Sequence, residues 1–427
     1  MKNIVIVLLT LISSTLLGQE ASYSSYFEPN GALRFDFFLA GNAQSQTAYF
    51  DAIYSEKVWG GNPDKTIEPY SYGEYAFRVY DKATNQLIFD KGFSSLFQEW
   101  RTTDEAKKVG RAFSQSIRIP VPKNPVKVEI CERKKADGKL YPMFTMDVDP
   151  HSKFINHEKK QLNPVEEIVK SGDSEHKVDL VIVAEAYQQQ EMGTFVNDAK
   201  RLVDTLFAYE PYKSSRDKFN VWLVESPSVD SGPDNPGANI WNSTVASSTF
   251  YTFDEERYLT TFDYKALADL TTDIPCDALY VLVNSSKYGG GGIYGYYALS
   301  SAHNALSPKV FIHEFGHSFA GLGDEYFDSS TPYEDFYNLK VEPWEPNLTT
   351  LVNFDSKWKN MVEPDVPIPT PPTAEYKNKI GVFEGGGYMA KGIYRPMFDC
   401  RMRTNTAKGF CPVCQRAIKK VIDFYAQ

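Results

Sequence analysis

Histidine is scarce in this chain of 427 residues: there are six, and none follows His317. A metal centre built around His317 therefore has no histidine downstream to use, and would have to recruit His303 or the distant His151, His157 or His176, or else a carboxylate. Cysteine is sparse too. The five residues Cys131, Cys276, Cys400, Cys411 and Cys414 leave at least one thiol unpaired within a monomer. Cys411-Pro412-Val413-Cys414 has the spacing of a redox or zinc knuckle, but a structural zinc needs four ligands and only Cys400 is close in sequence. The spacing predicts a structural disulfide from Cys400 to Cys411 or Cys414, not redox catalysis.

Excess positive charge is also missing. Lys and Arg number 45 against 55 Asp and Glu, for a net charge of -10, which argues against a nucleic-acid partner or an anionic membrane surface. The glycines at 289–292 are followed by no Lys-Ser/Thr at phosphate-loop spacing, and no dinucleotide fingerprint is present. The acidic stretches around Asp234-Asn235 and after Tyr326 lack the spacing of a calcium-binding EF-hand loop and read as solvated acidic loops. The apolar run from Ile4 to Leu17 is too short to cross a membrane and stay there. With Lys2 before it and Gly18-Gln19 after it, residues 1–18 match a cleaved secretory signal peptide. No cysteine follows to suggest a lipoprotein. A mature chain starting near Gln19 or Glu20, with no membrane span, is expected in the periplasm or the medium.

What is present divides in two. Over residues 19–149 apolar positions alternate, as in Leu33, Phe35, Phe37 and Leu39, in Tyr75, Phe77 and Val79, and in Val126, Val128 and Ile130. That is period two, broken by turn signals, and predicts an antiparallel β-sandwich. Residues 150–177 are polar and read as a linker. From 178 onward, Val178 to Ala184 is a buried-strand run, and Met192, Phe195, Val196, Ala199, Leu202, Val203, Leu206 and Phe207 lie on one face of a helix. Further strands are expected at 219–225 and 278–284. The second region, 178–427, thus reads as a mixed sheet with helices, giving an α+β protein overall.

The strongest signal is His313-Glu314-Phe315-Gly316-His317. Chance matches to such a pattern at this composition number roughly 0.005 per chain. On a helix, residues i and i+4 stack on one face, so two imidazoles can share one tetrahedral zinc while the intervening glutamate sits beside the attacking water. Metzincins follow the second histidine with x-x-Gly-x-x-His. Here Gly321-Leu322-Gly323-Asp324 keeps the glycine-to-ligand step, one residue late and with aspartate in place of histidine, so Asp324 is the expected third ligand, with Glu325 as its rival. A methionine turn beneath the metal is expected at Met402 or Met397. The glycines at 289–292 would form either a flexible loop or a sheet edge able to pair with extended peptide. The proline-rich loop after Tyr326 is long enough to wrap the cleft.

These residues, with Tyr394-Arg395-Pro396 and Cys400-Arg401-Met402-Arg403, resemble the IgA-peptidase family of secreted bacterial metallopeptidases, which are metzincin-like. The resemblance spans about 175–427, and the β-rich segment before it looks like that family's N-terminal domain. It implies a Zn2+ endopeptidase acting on a protein or peptide substrate, with His313, His317 and Asp324 as metal ligands and Glu314 as general base. Tyr394 or Arg395, beside the expected methionine turn, is the expected donor to the tetrahedral intermediate. Two rival readings are a surface binding or adhesion protein with a structural or degenerate zinc centre, and a metal-dependent hydrolase of amide or ester bonds outside proteins.

Overall fold

A computed structural model describes residues 23–327 and 337–426. The expected signal peptide, 1–18, and the start near Gln19 lie outside the described residues, as does part of the acidic stretch after Tyr326. The protein is mixed α+β, with a β-rich N-terminal region. After a short helix α1 (Tyr23–Tyr26) come β1 (Phe27–Gly41), β2 (Gln46–Glu56), β3 (Tyr75–Asp81), β4 (Leu87–Phe93), the short helix α2 (Leu96–Trp100), β5 (Arg111–Pro122), β6 (Val126–Arg133) and β7 (Leu140–Val148). They form two antiparallel sheets, ordered β2-β1-β5 and β4-β3-β6-β7. The alternating residues explain why the sheets face each other. Phe35 and Phe37 of β1 reach Phe77 of β3 with ring centroids 5.3 and 6.3 Å apart, burying one side of each sheet in a shared core.

The second region is built on a six-stranded sheet. Its elements are β8 (Val165–Val169), β9 (Val178–Glu185), α3 (Met192–Leu206), β10 (Phe219–Val224), α4 (Tyr264–Leu270), β11 (Ala278–Val283), β12 (Gly290–Ile293), β13 (Tyr297–Ser301) and α5 (Ser307–Ala320). The strand order is β12-β13-β11-β9-β10-β8, parallel in the middle and antiparallel at both edges. Every residue of β9 is buried because both faces of the sheet are covered. Leu180 and Ile182 pack under α3 and α5, while Val181 and Val183 join the core of the N-terminal sheets. The stretch expected to be a linker therefore also carries β8. Its polar sequence suits an edge strand with one side open to water. A hairpin of β14 (Phe383–Gly386) and β15 (Met389–Arg395) and the final helix α6 (Pro412–Tyr425) complete the fold.

A polar joint ties the two regions together. Buried Arg34 of β1 lies 3.1 Å from Asp36 and 2.7 Å from Asp269 of α4, and Arg118 of β5 donates to Glu56 and, at 2.7 Å, to the Ala268 carbonyl. Buried guanidinium groups are tolerable only when paired in this way. Among the described residues, no helix is long and apolar enough to cross a membrane.

Candidate metal centre

Helix α5 carries His313, Glu314 and His317. Pro308 in its first turn loses no intrahelical hydrogen bond there. Val310, Phe311, Phe315 and Phe319 form its buried side, with Phe311 stacked on Tyr280 of β11 at 3.9 Å. His313 and His317, one turn apart, face a cleft of about 450 Å³. The other wall is β12, and it must be glycine. A Cβ on Gly292 would lie 2.5 Å from the Glu314 carbonyl oxygen and 2.7 Å from His317 Cβ; one on Gly290 would lie 3.0 Å from Glu314 Oε1. The glycine run is thus a sheet edge lining the cleft and pressed against the helix.

Gly321, at φ +63°, ends the helix in the left-handed conformation that glycine adopts without penalty. Its N–H and that of Leu322 donate to the carbonyls of His317 and Gly316 at 3.0 and 3.2 Å. The chain then doubles back beside the histidines. Nδ1 of His317 donates to the Leu322 carbonyl at 2.5 Å and Nδ1 of His313 to the Arg401 carbonyl at 3.0 Å. A carbonyl can only accept, so both Nδ1 atoms carry protons and both neutral rings present a bare Nε2 to the cleft.

Those two Nε2 atoms are 3.0 Å apart, and Asp324 Oδ1 stands 3.2 Å from each. Bonds of about 2.0–2.1 Å to a tetrahedral zinc imply edges of about 3.3 Å, close to this triangle. Asp324 Oδ1 is buried and receives no hydrogen bond; its Oδ2 accepts one from the Tyr388 hydroxyl, and its carbonyl accepts from Gly387 N–H at 2.7 Å. Three lone pairs converging on one point without a donor are what a cation requires. Without one, burial acts to lower the pKa of His317, but Asp324 outweighs it and raises the value to about 9. Burial acts to raise Asp324, yet the two histidines hold it well below the carboxylate range. Burial also raises the Glu314 carboxyl, with His313 and His317 drawing it back.

The structure brings His313, Glu314, His317 and Asp324 together. Glu325, the rival ligand, points away into a separate buried cluster with Cys400, Cys411 and Cys414. His303 is engaged by Asp198 at 2.6 Å. Tyr394 does not reach the cleft: its backbone pairs with Thr349 and its side chain packs against the core, while Arg395 is buried and donates to the carbonyls of Glu384 and Gly385. The hairpin offers Tyr388 to the cleft instead, because its turn, not β15, faces Asp324. Met402 is fully buried under α5, where a Cβ on Gly316 would lie 3.0 Å from its sulfur; Met397 sits at the edge of the core. The expected disulfide is not formed. All five cysteines are free, with Cys400 Sγ and Cys414 Sγ 3.8 Å apart.

Three residues that reasoning from sequence passed over also belong to this region. Tyr388 binds Asp324, Arg257 lines the cleft, and Asn347 holds the loop that carries Asp324 through the N–H and carbonyl of Gly323 at 2.8 and 2.9 Å. Only Tyr388 had a local marker, the glycines before it. From the long loop, Tyr337, Trp344 and Glu345 line the cleft.

Fold and site together define a helix-borne pair of histidines with a carboxylate partner, open to a cleft at a sheet edge. The family model for IgA peptidase M64 matches residues 166–379 and 372–422, and that for the peptidase M64 N-terminus matches residues 22–144. The chain belongs to the IgA peptidase M64 family, a family of peptidases whose substrates are proteins. Among curated proteins, none matches it significantly.

Proposed function

We propose that the protein is a secreted, zinc-dependent, metzincin-like endopeptidase. The observation that carries this reading is the triangle of His313 Nε2, His317 Nε2 and Asp324 Oδ1, with edges of 3.0–3.2 Å, beside Glu314 in an open cleft. These three residues would hold the metal, and the uncapped Asp324 Oδ1 and the two bare Nε2 atoms fit it. When bound, zinc supplies Lewis-acid polarisation of the scissile carbonyl and a more acidic water.

The remaining work falls to the chain itself. Glu314 accepts the proton of the attacking water and passes it to the leaving amine; its raised pKa suits both halves of that task. Tyr388 orients Asp324, and the Arg401 and Leu322 carbonyls orient the two rings. The glycine edge, Gly290 to Gly292, lies where an extended substrate could pair through its main chain without side chains in the way. Arg257, whose charge is felt at Glu314, replaces Tyr394 as the cleft donor for developing negative charge. Export rests on the leader sequence at 1–18. Digestion of a broad peptide library with and without a chelator tests the proposal. Chelator-sensitive cleavage that returns with added zinc is expected; a zinc-loaded protein that cleaves nothing would favour a binding role.

A further inference from the structure

We propose that Glu325, Cys400, Cys411 and Cys414 form a second metal site, structural and suited to zinc, behind the cleft. One ligand atom from each of the four lies within 4.8 Å of every other, and all four residues are buried, none more than 4 % exposed. The Sγ atoms of Cys400 and Cys414 are 3.8 Å apart. Metal–sulfur bonds of about 2.3 Å in a tetrahedron give sulfur–sulfur edges of about 3.8 Å. Cys414 Sγ is 3.2 Å from Glu325 Oε1. Asn347 donates to that oxygen at 3.0 Å, while Glu325 Oε2 is buried with no hydrogen-bond donor.

The surroundings are built for thiolates. Backbone N–H groups point at sulfur, from Cys411 to Cys400 at 3.2 Å and from Cys414 to Cys411 at 3.5 Å. Cys411 caps the N-terminus of α6, a 14-residue helix whose dipole favours negative charge there. A disulfide between any two of these thiols would strand the third and leave the Glu325 carboxylate buried without a countercharge, which is costly. A divalent cation satisfies all four at once.

Its place gives it a purpose. Glu325 directly follows Asp324, and its N–H donates to the Met402 carbonyl at 2.8 Å. Cys400 directly precedes Arg401, whose carbonyl holds His313. One ion would therefore staple the loop bearing Asp324, the segment supporting His313, and α6. Loss of such outer support weakens a neighbouring metal site by about 10–100-fold.

The test uses the full mature protein purified without chelator. Elemental mass spectrometry is expected to give two zinc ions per chain, falling to one in His313→Ala/His317→Ala. Alkylation under denaturing, non-reducing conditions should find Cys400, Cys411 and Cys414 all as thiols. Because Cys411→Ser/Cys414→Ser can fail to fold, cobalt exchange into the double-histidine variant gives the second readout: a thiolate-to-cobalt charge-transfer band is expected. A double-histidine variant without metal, or a disulfide from Cys400 to Cys411 or Cys414, overturns the site whatever the peptidase activity. A wild-type protein that holds one zinc, unchanged in the double-histidine variant, supports this site and instead refutes the cleft assignment.

Discussion

Gly292→Ala is a perturbation whose effect follows from one contact. The backbone at Gly292 is not left-handed, so alanine is conformationally acceptable and the penalty is purely steric. The new Cβ would start 2.5 Å from the Glu314 carbonyl oxygen, and ordinary contact begins at 3.4 Å, so α5 and β12 must part by about 0.9 Å. Overpacking of this kind costs about 1–3 kcal/mol. The displaced residues include the proposed base and a proposed ligand, and an error near 1 Å in such geometry costs about 10²-fold in rate. Gly193→Ala is the control. Nothing lies within 4 Å of its added Cβ in α3, so it should gain about 0.5–1 kcal/mol and keep full activity. The assay is kcat/KM on a cleaved peptide, together with denaturant unfolding of both variants. Wild-type activity and stability in Gly292→Ala would refute the reading of the glycine edge as a close-packed wall.

Other perturbations probe the supports. Tyr388→Phe removes the hydroxyl on Asp324 Oδ2 and should weaken zinc binding by about 10–100-fold in chelator competition; unchanged affinity would deny Tyr388 its orienting role. Asn347→Ala leaves the buried N–H and carbonyl of Gly323 unmet, so a loss of about 1–3 kcal/mol or more is expected in thermal unfolding. The metal-free protein should depend on pH through His317, whose pKa rises from 6.5 to about 9 on folding. Its contribution is fully present below pH 6.5 and is lost as pH rises through 9. Asp324, depressed by the histidines, contributes above its ordinary 3.8 and loses that contribution only in strong acid. The unfolding midpoint of chelated protein should thus fall between pH 6.5 and 9, and His317→Gln should flatten that slope.

How much was legible in the chain depended on how local the signal was. The motif on α5 needs only helical geometry, and Gly321 needs only its own backbone, so two histidines, the glutamate and the turn toward Asp324 could be read from five to twelve adjacent residues. Strands β9, β10 and β11 announced themselves because burial on both faces demands unbroken apolar runs. β8 did not, since an edge strand with a wet side can be polar. Glu325 was weighed only against Asp324. Its real neighbours are Cys400, Cys411 and Cys414, more than seventy residues on, and only the folded chain joins them. Separation along the chain also hid Tyr388 behind Tyr394: both lie on one hairpin, but the turn faces Asp324 and the strand does not. For the glycines of β12, the sequence left loop and edge equally open, because the helix that requires their missing side chains follows about twenty residues later.

In the proposed mechanism Glu314 moves the proton while His313, His317 and Asp324 hold the metal. Metal content and peptide hydrolysis measured together on Glu314→Gln test it most directly. The variant should keep the zinc content of the wild-type protein with hydrolysis abolished, since the amide keeps the shape of the side chain and cannot accept the proton. Full hydrolysis by that variant would contradict it.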